Sequence, residues 1–125
     1  MVDVLIVEDS PTASFVLRHM IESLGFSVAM ASNGSHALEM AKKQKPELIL
    51  MDLMMPIMDG YQATRIFKTN AELKGVPVVI HSSKSQTTDK LWAKKQGASG
   101  FLAKPASKRQ LQRMMNYFLP NHEVS

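Results

Sequence analysis

The chain has 125 residues, close to the commonest size of a single domain, and 45% apolar residues, enough to fill one core. Its net charge is +4 and it has no cysteine, which excludes disulfides and thiolate metal sites; its ten methionines read as adaptable core filler rather than as copper or haem ligands. The longest apolar runs, around Ile49 and Val78, are far too short to cross a bilayer, and no basic stretch followed by an apolar signal segment opens the chain, so a cytoplasmic protein without membrane insertion is expected.

In chain order, residues 2–7 read as a first strand, whose apolar run Val4-Leu5-Ile6-Val7 is followed directly by Glu8-Asp9. Ser10-Pro11 then supplies an N-cap and a first-turn proline, and a helix is predicted from about Pro11 to Leu24, with Ala13, Val16, Leu17, Met20, Ile21 and Leu24 on one stripe and Gly25 at its end. Phe26–Ala31 is the second strand, and Asn33-Gly34 opens a second helix running to about Gln44. Leu48-Ile49-Leu50-Met51 is a continuous apolar run, as expected of a strand buried on both faces, and it ends at Asp52. Pro56 and Asp59-Gly60 mark the following turn, Asp59 caps a third helix, and that helix runs from about Gly60 to Lys68. Val76–His81 is the fourth strand, with Pro77 tolerated near its start. A polar loop, Ser82–Thr88, leads into a helix ending near Gln96-Gly97. A short strand Gly100–Ala103 and a last helix beginning at Ser107, spaced with Gln110 as a capping box, complete the set, and Pro120 begins a short polar tail.

Strands alternating five times with amphipathic helices predict an α/β fold, doubly wound, with a parallel sheet between two helical layers. In the order 2-1-3-4-5 the first and third strands are neighbours, so Glu8, Asp9 and Asp52 converge at the switch point, where such sheets open to ligands. Three clustered carboxylates repel one another unless a cation sits among them, and an open, partly hydrated set of oxygen donors suits magnesium. The fourth strand ends at the hydroxyls Ser82 and Ser83, and the fifth ends at Lys104-Pro105. With strands ~4.8 Å apart, Lys104 must use its long stem to approach the acids. An acid nucleophile, a divalent metal, a hydroxyl and a lysine together describe a phosphoryl site.

With those residues in view, essentially the whole chain resembles the receiver domains of bacterial two-component response regulators, in their single-domain, chemotaxis-regulator-like form with a flavodoxin-like (βα)5 fold. The resemblance rests on Ile6-Val7-Glu8-Asp9-Ser10, Met51-Asp52-Leu53-Met54-Met55-Pro56 with Asp59-Gly60, the serine ending the fourth strand, Gly97-Ala98 and Lys104-Pro105. It implies a receiver domain over residues 1–120 with residues 121–125 as a tail, and a phosphoryl group accepted on Asp52 from a sensor histidine kinase or a histidine phosphotransfer domain. It further implies that Asp9 holds Mg2+ directly and Glu8 through water, with Asp52 and the Met54 backbone carbonyl as further ligands. Ser82 matches the switch hydroxyl, Phe101 the switch aromatic and Lys104 the phosphoryl-binding lysine, whose bond to Pro105 is expected to be cis. Glu8, Ser82 and Phe101 stand where aspartate, threonine and tyrosine are more frequent. Met54 and Lys84, two residues beyond Asp52 and Ser82, match positions bordering the path of the hydrolytic water.

Phosphorylation beside Ser82 and Lys104 is expected to draw the Ser82 loop inward and let Phe101 rotate into the vacated space, reshaping the face built by helix four, strand five and helix five. Residues 84–125 hold eight Lys/Arg against two acids, whereas residues 1–83 hold seven against nine. That face should therefore be basic, suiting either an acidic protein partner or simple solvation. Direct DNA binding is not expected, because no basic segment is interleaved with aromatics and no output domain follows the fifth helix. A monomer or a phosphorylation-dependent dimer is expected. His19, His36, His81 and His122 show no metal-ligand spacing and read as structural or surface residues, while Trp92 suits either packing or a partner contact.

Gln86–Ala98, together with Gln62-Ala63-Thr64-Arg65, resembles regulators of the chemosensory systems that control type IV pili and twitching motility. Flagellar chemotaxis, an unrelated phosphorelay, a phosphate-sink role and a phosphorylation-independent binding module stay open. Aspartate-nucleophile phosphatases share the chemistry, but their second aspartate two residues beyond the nucleophile is replaced by Met54, so an enzyme acting on anything but its own phosphoryl group is not expected.

Overall fold

The computed structural model describes residues 2–55 and 58–122. Pro56, expected to mark the turn after the third strand, and residues 123–125 of the expected tail lie outside the described residues. The elements are β1 (Val4–Val7), α1 (Pro11–Ser23), β2 (Val28–Ala31), α2 (Gly34–Lys43), β3 (Leu48–Asp52), α3 (Gly60–Thr69), β4 (Val78–Ser82), α4 (Thr87–Lys95), β5 (Gly100–Ala103) and α5 (Lys108–Phe118). The strands form one sheet in the order β2-β1-β3-β4-β5, and every pairing is parallel. The expected doubly wound topology is therefore the one adopted.

Alternation along each strand sends neighbouring side chains to opposite helical layers. Val4, Ile6, Leu48, Leu50 and Val79 pack with Leu17 and Ile21 of α1 and with Leu111, Met114 and Met115 of α5. Leu5, Val7, Ile49, Met51, Val78 and Ile80 pack on the other face with Ala37, Ala41, Ala63, Phe67 and Ala93 of α2, α3 and α4. Both faces of the sheet are covered, which explains why the central strands read as unbroken apolar runs. Among the described methionines, Met51, Met114 and Met115 are buried, in keeping with the filler role.

The helix starts follow local chemistry. Ser10, Asn33, Asp59 and Ser107 each accept a hydrogen bond from the backbone amide three residues on, and Asp59 and Ser107 complete capping boxes with Gln62 and Gln110. Gly25 and Gly97, with φ of 96° and 103°, lie just beyond α1 and α4 in the left-handed conformation that glycine favours.

Several boundaries differ from expectation. Strands one and two begin at Val4 and Val28 rather than two residues earlier, because Asp3 and Ser27 bond each other through side chains, Ser27 amide to Asp3 Oδ2 at 2.7 Å and Asp3 amide to Ser27 Oγ at 2.9 Å. Strand four starts at Val78, two residues later than read, and continues to Ser82, whose carbonyl accepts from the Lys104 amide at 2.9 Å. α4 starts at Thr87, inside the expected loop, since Asp89 accepts from the Gln86 amide at 3.0 Å and opens the helix earlier. Leu73, between α3 and β4, is a fully buried core residue that strand and helix periodicity did not point to.

The start of α3 passes very close to the end of β3. A Cβ at Gly60 would collide with the Asp52 carbonyl oxygen and lie 2.8 Å from Leu53 Cα, both backbone atoms, whereas one at Gly75 would meet nothing within 4 Å. Gly60→Ala is expected to lower stability by about 1–3 kcal/mol through overpacking, and Gly75→Ala to stay within about 0.5 kcal/mol, as read by chemical denaturation.

Candidate functional site

The carboxyl ends of β1, β3, β4 and β5 place five polar side chains on one edge of the sheet. Glu8 leaves β1, Asp52 ends β3, His81 and Ser82 end β4, and Lys104 follows β5. Glu8 and Asp52 are buried and Asp9 is exposed. One carboxylate oxygen from each of these three acids lies within 4.8 Å of the others. Among the described residues this ligating set consists of carboxylates, and one of the three acids faces solvent, so the set fits a hard, partly hydrated divalent cation such as magnesium.

Lys104 does more than the sequence indicated. Its Nζ donates to Glu8 Oε1 at 2.6 Å and lies 3.3 Å from Asp52 Oδ1, so the ammonium bridges two buried carboxylates and sits closer to the more distant strand. The two acids diverge as a result. Burial pushes the Asp52 carboxyl up to about 6, helped by the neighbouring negative Glu8, and Lys104 offsets only part of this. Burial acts on Glu8 as well, but the hydrogen bonds from Lys104 and the Ser10 amide and the ammonium charge outweigh it and hold that carboxyl below its usual range. Burial works against the charged Lys104 ammonium, yet the two acids outweigh it and hold the group above its usual range.

Ser82 is fully buried, and its Oγ accepts from the Lys84 amide at 3.0 Å. Ser83 is exposed. Lys104–Pro105 is a cis peptide bond, as expected. The Met54 side chain is 62% exposed. Phe101 is half-buried against the core on the α2-α3-α4 side, paired in register with Ile80 while Ser82 pairs with Ala103. It shares the sheet face of Ser82 but packs one step below it.

His81 stands at the edge of the site, although the sequence alone points only to a structural or surface role for it. It pairs in register with Asp52, is 8% exposed, and its Nε2 has no hydrogen-bond partner. Burial, followed by the charge of Lys104, lowers its imidazole to about 4, so it is neutral near pH 7. The signal that could have found it was its position as the penultimate residue of a strand adjoining the one that ends in Asp52. Trp92 is 49% exposed, meets Tyr61 edge-on at 6.5 Å and lies under the Lys95 ammonium at 5.3 Å, so it packs while leaving half its surface open. Tyr61 in turn donates to the Asp89 carbonyl at 3.2 Å, tying α3 to α4.

Residues 4–116 match the family described as the response regulator receiver domain. The chain is 42% identical over 119 residues to Protein PilH of Pseudomonas aeruginosa, covering 95% of this chain and 98% of that protein. It is 32% identical to Protein PilG of the same organism over 118 residues, covering 94% and 87%. Among solved structures, the receiver domain of the sensor histidine kinase PA1611 from Pseudomonas aeruginosa, with a magnesium ion coordinated in its active-site cleft, superposes with a TM-score of 0.87 at 31% identity, covering 95% of this chain and 98% of that one. Among the described residues no helix is long and apolar enough to cross a membrane.

A raised carboxyl destabilises the fold wherever it is ionised. For Asp52, whose carboxyl moves from 3.8 to about 6, the cost is absent below pH 3.8 and fully present once the pH has risen through about 6. In metal-free protein, Asp52→Asn is therefore expected to unfold at a higher temperature than the native chain at pH 7, with the difference shrinking toward zero by about pH 4. Paired thermal scans across that range check the trend; a difference that did not vary with pH would refute it.

Proposed function

This chain belongs to the response regulator receiver family, and we propose on that premise that it is a stand-alone response regulator that accepts a phosphoryl group on Asp52 and switches a protein-binding face. The receiver would span residues 1–120, with 121–125 as a short tail. The observation that carries the reading is the Lys104 ammonium lying 3.3 Å from Asp52 Oδ1 at the edge of a three-carboxylate cluster.

The donor is a phosphohistidine on a sensor histidine kinase or a histidine phosphotransfer domain. An Asp52 oxygen forms the new bond to phosphorus as the nitrogen–phosphorus bond breaks, and the departing imidazole takes up a proton. Asp52 must be ionised to attack. Its carboxyl near 6 leaves it largely ionised at neutral pH while keeping it the less strongly stabilised of the two buried acids. Lys104 is poised to shift from Asp52 to a phosphoryl oxygen without leaving Glu8. Ser82 accepts from the Lys84 amide, which keeps its own O–H as the donor toward a phosphoryl oxygen. Glu8, Asp9, Asp52 and the Met54 carbonyl would hold Mg2+, which when bound supplies positive charge opposite the transferring phosphoryl oxygens. The protein catalyses only the gain and loss of its own phosphoryl group.

The output face comprises α4, β5 and α5. Lys90, Lys94, Lys95, Lys108, Arg109 and Arg113 are all exposed on its two helices, which supports an acidic protein partner reached by electrostatic steering. Ser82 and Phe101 sit one step apart on the same sheet face, so inward movement of Ser82 frees space that Phe101 can take. The likeness to PilH and PilG supports a place in a cytoplasmic chemosensory pathway governing type IV pili and twitching motility, with a phosphate-sink role as the second form of the same chemistry.

Intact mass after incubation with Mg2+ and acetyl phosphate should show one added phosphoryl group on the native chain and none on Asp52→Ala. Phosphorylation should also shift amide resonances across residues 82–118. Labelling that survives Asp52→Ala would move the acceptor elsewhere, and an unchanged amide spectrum would remove the switch.

A further inference from the structure

The opposite end of the sheet holds a second group of ligating side chains. Asp3 stands just before β1, Glu47 just before β3, and His122 four residues beyond α5; one ligand atom from each lies within 4.8 Å of the others. His122 folds back over Phe26, its ring stacked at a centroid distance of 4.2 Å, and its Nε2 lies 2.8 Å from the Gly25 carbonyl oxygen. A carbonyl oxygen can only accept, so Nε2 carries the hydrogen and donates it. Nδ1 is then the nitrogen turned toward Asp3, 3.8 Å from Oδ1. In the neutral imidazole that atom is a lone pair facing a carboxylate, a contact that becomes favourable when a proton or a metal ion supplies positive charge between them.

Asp3 is held in place for such a role. Its Oδ2 accepts from the Ser27 amide at 2.7 Å, and its own amide donates to the Ser27 hydroxyl at 2.9 Å. Glu47 is tethered through its backbone, whose amide donates to the Asp3 carbonyl at 3.1 Å, while its exposed side chain is free to reorient.

We propose that Asp3, Glu47 and His122 form a second metal site, for a divalent ion of the zinc class, separate from the acidic cluster at the carboxyl ends of the strands. An imidazole that gives its far N–H to a backbone carbonyl has the outer support that orients a metal-binding histidine. One imidazole nitrogen with two carboxylates suits zinc, whereas magnesium favours oxygen donors throughout. Metal–donor bonds of about 2.0–2.1 Å set the donor atoms of a tetrahedral site about 3.3–3.4 Å apart. The Nδ1–Oδ1 separation of 3.8 Å is within about 0.5 Å of that spacing, and rotation of the exposed Glu47 stem brings in the third ligand. A cavity of about 470 Å³ lined by Asp3, Glu47, Leu119 and His122 leaves room for water to complete the coordination. The ion would clamp the segment after α5 to the loops before β1 and β3, steadying one helix of the output face from the far end of the molecule.

Cobalt(II) serves as the spectroscopic probe, added to the full chain in excess Mg2+ so that the strand-end cluster is occupied. The native chain should bind one equivalent with visible d–d absorption and shifted His122 ring-nitrogen resonances, and zinc should displace the cobalt and raise the Tm. Glu47→Gln, at an exposed position, and His122→Gln should each weaken this binding at least about tenfold and abolish the zinc-dependent Tm gain, with unchanged far-UV circular dichroism. Equal cobalt affinity in the native chain and both variants, or no visible band in the native chain, would overturn the proposal.

Discussion

The fold of this chain converges on one ammonium group. Lys104 Nζ sits between the Glu8 and Asp52 carboxylates at 2.6 and 3.3 Å, and without it two buried acids at the ends of adjacent strands would face each other unneutralised. Everything needed to place that group is sheet architecture. β1 and β3 must be neighbours for the acids to meet, β4 must space β5 from β3, and the Lys104 amide must be tied to the Ser82 carbonyl for its stem to start from the right edge.

Because Lys104 is nearer one acid than the other, it sorts them. Glu8 receives the shorter charge-assisted hydrogen bond together with the Ser10 amide, and it is held ionised. Asp52 receives the longer contact and the repulsion of Glu8, and it carries the raised carboxyl. The same arithmetic of burial, like charge and opposite charge thus yields one lowered and one raised carboxyl from two similar side chains. His81, neutral and buried beside them, adds no competing charge at neutral pH.

The two-layer packing gives that edge a route outward. Strand alternation turns Ser82 toward the face covered by α3 and α4, where Tyr61 bonds the Asp89 carbonyl and meets Trp92 edge-on. On the proposed reading, a displacement at Ser82 would act on this face, beside the exposed basic surface of α4 and α5. Asp3, Glu47 and His122 lie at the other end of the same sheet, so the two polar ends of the molecule share a frame but not their charges.

Element types and sheet order were legible in the sequence, because both faces of the sheet are covered and four helix starts carry side-chain caps whose chemistry is local. The acids at the ends of strands one and three, Ser82 and Lys104 were legible for a similar reason: a polar residue ending an apolar strand has few structural explanations. Less was visible where backbone contacts override pattern, as at Asp3–Ser27, which shortens two strands, at Asp89, which starts α4 early, and at Leu73, buried without periodicity. The sequence by itself determined that Glu8, Asp52, Ser82 and Lys104 stand at the carboxyl ends of their strands. The tertiary structure alone decided that Lys104 pairs most closely with Glu8, that Asp52 is the acid left raised, that His81 is buried without a partner for Nε2, and that His122 returns to Asp3 across 119 positions of chain. These depend on distances between residues far apart in sequence, and Coulombic and desolvation energies respond to such distances rather than to residue order.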